Sequence, residues 1–559
     1  VKLRLREKPL SVRERRGGGT ARTVVEGSVN LPAHLPPAHR VVLLEVLPDR
    51  YRAHPEPDRI LLEGACTVRL TYAAPVEAGS RRGTEPFADA GEVYGEQPAE
   101  RLFSATWIGG VPFTLLVDAE GTGPDDGVQV DVVAREVEWD LAAGGRQVDI
   151  DAVLEARVAS YAYTASMQPV AEGPLPPGAI LEPLQLRAIS LVPEVTVEGH
   201  AAGELALGEY HPPAERILRA EAVPRVGAVQ VEDGRLHAQV DMGYRVLYAP
   251  ANPVEGQALL ARFQAETPFE MEAASAGLED GMEAELIPLA FQVDATLRDQ
   301  GRRVWVESRP RFVARPLRRS TLNLAAGVRA EGEEVVERRV SRPVVELVAD
   351  LERRQEASAV LELPRGKPLI EQVVDVTARP FLETVQVGTD RVTARLVVAC
   401  GLLYAARVDD DSRPLHYHPW PNALQVEVEM PAPGAEPEME AQLWAEVEHP
   451  VADLINRETT EIRADLRLHG RLLRLVTPEA VAEAVSLPSD ARPPATYTFV
   501  RVEEDDTLWG LAQRYGVGED DVRACNPSLQ DAEDPDAALH QLRKVCLPGP
   551  RPAPARVGA

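Results

Sequence analysis

Cysteine is scarce in this chain of 559 residues: Cys66, Cys400, Cys525 and Cys546 are the full set. They are too few and too scattered for a disulfide scaffold or a four-cysteine zinc site. Lysine is equally rare, since Lys2, Lys8, Lys367 and Lys544 leave 56 of the 60 basic residues as arginine, a bias that fits GC-rich coding. Long apolar runs are missing. No window approaches the roughly 18 to 20 consecutive apolar residues of a membrane span, and the opening VKLRLREKPLSVRERR places charges where a signal peptide needs its apolar run. A protein that stays in the cytoplasm, without membrane insertion, is expected. Basic charge is in deficit as well: 60 Lys and Arg against 88 Asp and Glu give a net charge of -28, which repels nucleic acid and anionic membrane surfaces. Catalytic signatures are absent too, with no Gly-x-Ser-x-Gly and no His-Glu-x-x-His. Gly17, Gly18 and Gly19 before Thr20 lack the lysine and the strand-to-helix context of a phosphate loop and read as a flexible lead. No enzyme activity, cofactor or metal is expected.

What is present is enough apolar material, at 44% of residues, to build several cores, and the length predicts several domains. One strand pattern occurs three times and ends each time in a tyrosine. Stepping back in twos from Tyr72 gives Leu70, Val68, Cys66, Gly64, Leu62 and Ile60; from Tyr248 it gives Val246, Tyr244, Met242, Val240, Ala238 and Leu236; from Tyr404 it gives Leu402, Cys400, Val398, Leu396, Ala394 and Val392. Polar residues fill many of the intervening places. Period two marks a strand with one buried face. The flanks recur: Pro37 to Tyr72 and Pro213 to Tyr248 are both 35 residues, and the segments Gly127 to Asp140 and Gly281 to Asp294, read as closing hairpins, both span 13. These recurrences predict β repeats at 14–164, 185–316 and 336–477, each a sandwich-like domain with its tyrosine strand inside. Residues 167–183 and 487–496, rich in proline, read as linkers, and 549–559 as a disordered tail.

From Tyr497 onward the pattern changes. Tyr497 to Val502 reads as a short strand, Asp506 or Thr507 as the cap of a helix carrying Leu508, Trp509, Leu511 and Ala512, and Gly516 as its stop. A second helix ends at Asn526 and Pro527, and Arg543 to Leu547 is a closing strand. Tyr497, Thr498, Val500, Asp506, Thr507, Leu508, Trp509, Ala512, Tyr515, Gly516, Val517, Asn526, Pro527, Val545 and Pro548 together resemble a LysM domain. Asp505 stands where that family usually has glycine, and the loop from Ser528 to Gln541 is longer than usual. The resemblance implies a groove for N-acetylglucosamine polymers, bounded by Asp506, Thr507 and Leu508 on one side and Asn526 and Pro527 on the other. Capping and turn roles account for the same residues without a ligand. The segment 497–548 carries eleven acids against five bases, a balance that suits a basic protein patch better than an anionic wall.

Tandem β modules, each with an apolar strand that ends in a tyrosine (RLTY, RVLY and GLLY), followed by one LysM, resemble the SPOCS-plus-LysM spore-coat morphogenetic proteins of the SipL type. That resemblance implies a mainly β fold, with three tandem β-sandwich-like repeats and a small α+β (βααβ) LysM domain at 497–548. It implies non-enzymatic coat assembly at the forespore surface in the mother-cell cytoplasm. The partners would be the ATPase of the coat basement layer and other coat proteins. The alternative is a cell-wall or cortex protein that holds peptidoglycan itself.

Three smaller features complete the reading. His416 and His418 lie two apart near Asp409, Asp410 and Asp411, and read as a solvated loop in preference to a metal site. Cys66 and Cys400 fall on apolar strand faces as buried thiols, whereas Cys525 and Cys546 flank the second half of the LysM and could meet. Trp509 is expected to anchor the LysM core.

Overall fold

The computed structural model describes residues 2–75, 100–172, 178–251, 257–264, 269–274, 278–289, 293–330, 333–406, 413–488, 497–530, 532 and 534–549. The chain is mainly β, in three sandwich-like repeats followed by a small α+β unit. Each tyrosine strand lies inside its repeat. Arg59–Pro75 runs antiparallel between Arg40–Glu56 and Glu100–Asp118. Arg235–Pro250 pairs with Ala214–Glu232 on one edge and with Leu259–Gln264 and Phe269–Ala274 on the other. Arg391–Ala406 runs between Ile370–Gly388 and Leu415–Pro431.

A second layer covers the apolar face of each of these sheets. In the first repeat it is Arg6–Asn30, Gln147–Val170 and Gly127–Leu141, and in the third Val344–Glu362, Thr459–Val476 and Glu440–Leu454. The second repeat divides this layer between Arg311–Ala330 with its partners and a small sheet around Arg303–Ser308. The segments expected as closing hairpins are thus not hairpins: Gly127–Leu141 is a single strand paired to the strand that follows, and at 281–294 Glu283–Pro288 pairs with Arg311–Ala330 while Val293–Arg298 pairs with Arg303–Ser308.

The period-two pattern sets the burial. Ile60, Leu62, Cys66, Val68 and Leu70 all point into the first core, and Leu396, Val398 and Cys400 do the same in the third. Tyr72, Tyr248 and Tyr404 are 0, 0 and 1% exposed. Each hydroxyl donates to a proline carbonyl: Tyr72 to Pro36 at 2.9 Å, Tyr248 to Pro212 at 3.2 Å and Tyr404 to Pro368 at 3.0 Å. The separation is 36 residues every time. A buried ring with a polar tip needs such an acceptor, and the proline-rich lead that recurs in the sequence supplies it.

The repeats are packed together around a shared centre. Val42, Leu218 and Val374 stand 30 residues before their tyrosines, and all three join one apolar cluster with Leu102, Leu247, Ala249, Leu403 and Leu415. At the far layer Val12, Ile189, Leu317, Val345 and Leu473 form another cluster drawn from all three repeats. The expected linker at 167–183 is, where described, mostly strand: residues up to Val170 belong to Gln147–Val170, and Ala179 opens Ala179–Leu191. The segment 489–496 and the tail from 550 lie outside the described residues. Lys2–Arg4 pairs with residues 483–485 of Glu479–Pro488, which also pairs with Glu333–Ser341, so the first and third repeats are joined at this edge.

The glycine run at 17–19 is not a flexible lead. It lies within Arg6–Asn30, paired with Ala159 and its neighbours. A Cβ on Gly19 would come within 2.1 Å of the Asp118 carbonyl oxygen, so the absence of side chains lets the end of Glu100–Asp118 cross close above the strand.

Charged residues also meet at the centre. The Arg219 guanidinium donates to Glu45 at 2.8 Å and to Glu221 at 2.5 Å, and Asp375 lies 3.9 Å away. Arg245 bonds to Asp375, and Arg379 reaches Glu45 at 3.2 Å. Burial alone would lower the pKa of Arg219 and raise that of Glu221, yet Glu221, Glu45 and Asp375 hold the guanidinium up while Arg219 and Arg245 hold Glu221 down. At Asp375 burial prevails, and its carboxyl sits above the usual range. A cavity of about 180 Å³ beside this cluster is lined by Arg69, Ser104, Thr106, Arg219 and Asp294.

His416 and His418 lie in the strand Leu415–Pro431, which corrects the expected solvated loop. The His416 ring stands 5.8 Å from Tyr404 and His418 meets Trp420 edge-on at 4.6 Å. Asp409, Asp410 and Asp411 lie outside the described residues. Burial pushes both imidazoles down to about 4, with Arg40 and Lys367 adding at His416 and Lys367 at His418. Because the folded value lies below the ~6.5 of a free imidazole, the neutral ring stabilises the fold above pH about 6.5. That contribution is lost as pH falls through about 4. Unfolding midpoints measured from pH 7 down to 4 should therefore fall more steeply in the wild type than in a His416→Gln, His418→Gln variant; parallel profiles would refute this.

Candidate functional site

The C-terminal unit is built on a two-stranded sheet, Tyr497–Arg501 against Lys544–Pro548, with Phe499 opposite Cys546. Helix α1 (Leu508–Tyr515) begins at Thr507, whose hydroxyl accepts the Gly510 N–H at 3.0 Å, and stops at Gly516, which takes the left-handed conformation at φ 65°. Helix α2 (Glu519–Cys525) has no side-chain cap; three acids in its first turn complement the positive helix end. The long loop folds into two further turns, α3 (Pro527–Gln530) and α4 (Pro535–His540), the latter capped by the Asp534 carboxylate. Leu508, Leu511, Ala512, Val522, Leu539 and Val545 close the core.

Three of the five sequence-selected residues turn inward. Asp506, 4% exposed, accepts the Glu503 N–H at 2.9 Å and pairs with Arg514 at 3.0 Å. Leu508 is 1% exposed and belongs to the core. Asn526, 7% exposed, donates to the carbonyls of Val522 at 2.7 Å and Cys546 at 2.6 Å and accepts the Cys546 N–H at 2.9 Å. Thr507 and Pro527 remain exposed. The loop before α1 and the long loop are tied directly, because the Leu508 N–H donates to the Asp536 carboxylate at 2.7 Å. Asp536 was not selected from the sequence; the available signal was Asp534 before Pro535, a helix start inside a supposed loop.

Trp509 is not a core residue of this unit. Its ring lies under the Arg329 guanidinium, 4.9 Å from the ring centroid, and a Cβ on Gly327 would approach its Nε1 at 3.0 Å. Both partners belong to Arg311–Ala330 of the second repeat. Arg329 also donates to the Val517 carbonyl at 3.1 Å, and Gln513 to the Val328 carbonyl at 3.4 Å. The cause is helical phase: one residue turns about 100°, so with Leu508, Leu511 and Ala512 inward the indole is carried onto the flank that meets the repeat. The acids at the start of α2 are turned partly the same way. The Glu182 carboxyl is pushed up first by burial and then, against Arg339, by Glu519, Glu337 and Asp536. Glu503, Glu504 and Asp505, next to the candidate groove, are all exposed.

Among the described residues no helix is long and apolar enough to cross a membrane, and no group of three or more His, Cys, Asp or Glu is placed to hold a metal ion. Residues 369–455 match the family model of the SipL, SPOCS domain, and residues 500–535 match that of the LysM domain. Neither the curated proteins nor the solved structures give a match. The first match covers the third tyrosine strand and the two strands beside it, and the second runs from the first strand of the C-terminal unit through α2 to the start of α4. The chain is thus a SPOCS-plus-LysM protein, which marks it as a sporulation protein carrying a domain of the peptidoglycan-binding kind.

Proposed function

We propose that this protein is a non-enzymatic spore-coat assembly factor whose three β repeats form a scaffold and whose LysM is a docking head. The head would dock the coat's basement layer, through its ATPase, onto the forespore surface from the mother-cell side. The observation that carries this reading is the seat of the head: Trp509, Gln513 and Val517 bind it to the second repeat, while Glu503, Glu504 and Asp505 face solvent beside Thr507 and Pro527. An acidic loop held at a fixed place on a large body suits a basic protein patch and repels an anionic wall. The tie between Leu508 and Asp536 also engages a backbone donor at the mouth of the groove.

The second reading, direct glycan binding, is favoured by the LysM match itself. The purified protein is tested against the purified basement-layer ATPase and against purified peptidoglycan. Changing Glu503, Glu504 and Asp505 together to lysine should weaken ATPase capture by at least about 10-fold, with any glycan retention left unchanged or raised. Unchanged ATPase capture, or retention by peptidoglycan alone, would overturn the docking role. A fluorescent fusion should encircle the forespore; signal outside the cell would contradict the location.

A further inference from the structure

We infer that Cys525 and Cys546 form a redox site in the LysM head, a thiol pair that closes to a disulfide and ties the end of α2 to the last strand. Cys525 is the final residue of α2, and Cys546 sits in Lys544–Pro548 opposite Phe499. The residue that follows Cys525 is the clamp: the Asn526 amide grips both the N–H and the carbonyl of Cys546, at 2.9 and 2.6 Å. The backbone of Cys546 is therefore held one residue away from Cys525, and Cys525 is among the groups that push the Cys546 thiol up, after burial. Both cysteines are partly exposed and neither belongs to the core of the head, so packing does not account for them. Cys66 and Cys400 offer the contrast. They lie apart in the cores of separate repeats, where burial pushes their thiols up to about 12, whereas the Cys546 thiol, itself pushed up by burial and then by Cys525, stays partly exposed.

The chemistry balances with a small-molecule disulfide as oxidant. One cysteine thiolate attacks oxidised glutathione, a protein–glutathione disulfide forms, and one glutathione thiolate leaves. The second cysteine thiolate then attacks the protein sulfur of that bond and expels the other glutathione. Two protein thiols are oxidised, one glutathione disulfide is reduced, and the two protons pass to the glutathione thiolates. The closed loop contains Asn526, Pro527 and Asp536, so the bond fixes one whole side of the candidate groove, whichever ligand the head takes. In a reducing cytoplasm the pair stays open; an oxidising surrounding closes it.

The test uses the full chain incubated with oxidised glutathione, followed by intact mass, thiol counting and peptide mapping. The wild type should lose two hydrogens, keep no glutathione and yield a cross-linked 525–546 peptide. Its head should unfold about 5–10 °C higher. Cys525→Ser and Cys546→Ser, both small changes at partly exposed positions, should each retain one glutathione and show no rise. Four free thiols after incubation, or one glutathione on each of the two cysteines of the wild type, would overturn the inference.

Discussion

Replacing Arg219 with methionine should destabilise the protein by about 3–5 kcal/mol, the range for removing one member of a buried charge network. The side chain holds three carboxylates that come from all three repeats: Glu45 from the first, Glu221 from the second and Asp375 from the third. Its removal leaves Glu221 without its nearest cation, and Glu45 and Asp375 with Arg379 and Arg245 alone. A loss of that size is a large part of the stability of an ordinary domain. It should appear in denaturant titration as a lower midpoint, accompanied by loosening of the contacts between repeats in hydrogen exchange. Adding Glu221→Gln to Arg219→Met should recover part of the loss, because it removes the carboxylate left unpaired. A single change costing less than about 1 kcal/mol would mean that the cluster is hydrated and contributes little.

Replacing Trp509 with alanine should release the head and leave it folded. The indole bridges two units: Arg329 lies over its ring and Gly327 close to its Nε1 edge, while the core of the head is closed by Leu508, Leu511 and Val545 without it. The expected loss is about 2–3 kcal/mol of coupling between head and body, from the aromatic contact and the cation–π pair together. It is read as faster exchange at the segments around Val328 and Val517 and as a separate melting step for the head. A double-mutant cycle with Arg329→Met should return a coupling of about 1 kcal/mol. A head that unfolds in the Trp509→Ala protein at room temperature would instead restore the indole to its core.

Much of this was legible from spacing. The three tyrosines announced three equivalent strands because a period of two leaves only one way to bury an apolar face; the proline lead recurred in spacing in the first two copies, but that it supplies the acceptor of each hydroxyl emerged only from the fold. In the C-terminal unit, Asp506 or Thr507 and Gly516 were readable as start and stop, since a cap and a left-handed glycine act within a few residues, and the fold chose Thr507. The selected groove residues were harder to judge. Asp506 and Asn526 are polar, and polarity in a loop reads as availability; their inward bonds to Glu503, Arg514, Val522 and Cys546 depend on where the chain returns.

The sequence by itself determined the number of repeats, the strand at the heart of each, the ends of α1 and the acidic balance of the last unit, because each of these follows from local periodicity, turn chemistry or charge. Only the tertiary structure decided that the repeats share one centre, that Glu45, Arg219 and Asp375 meet there, and that Trp509 faces a neighbour in place of its own core. These are contacts between residues more than a hundred positions apart. The pattern along a strand or helix records which face is covered; it carries no record of which distant surface covers it.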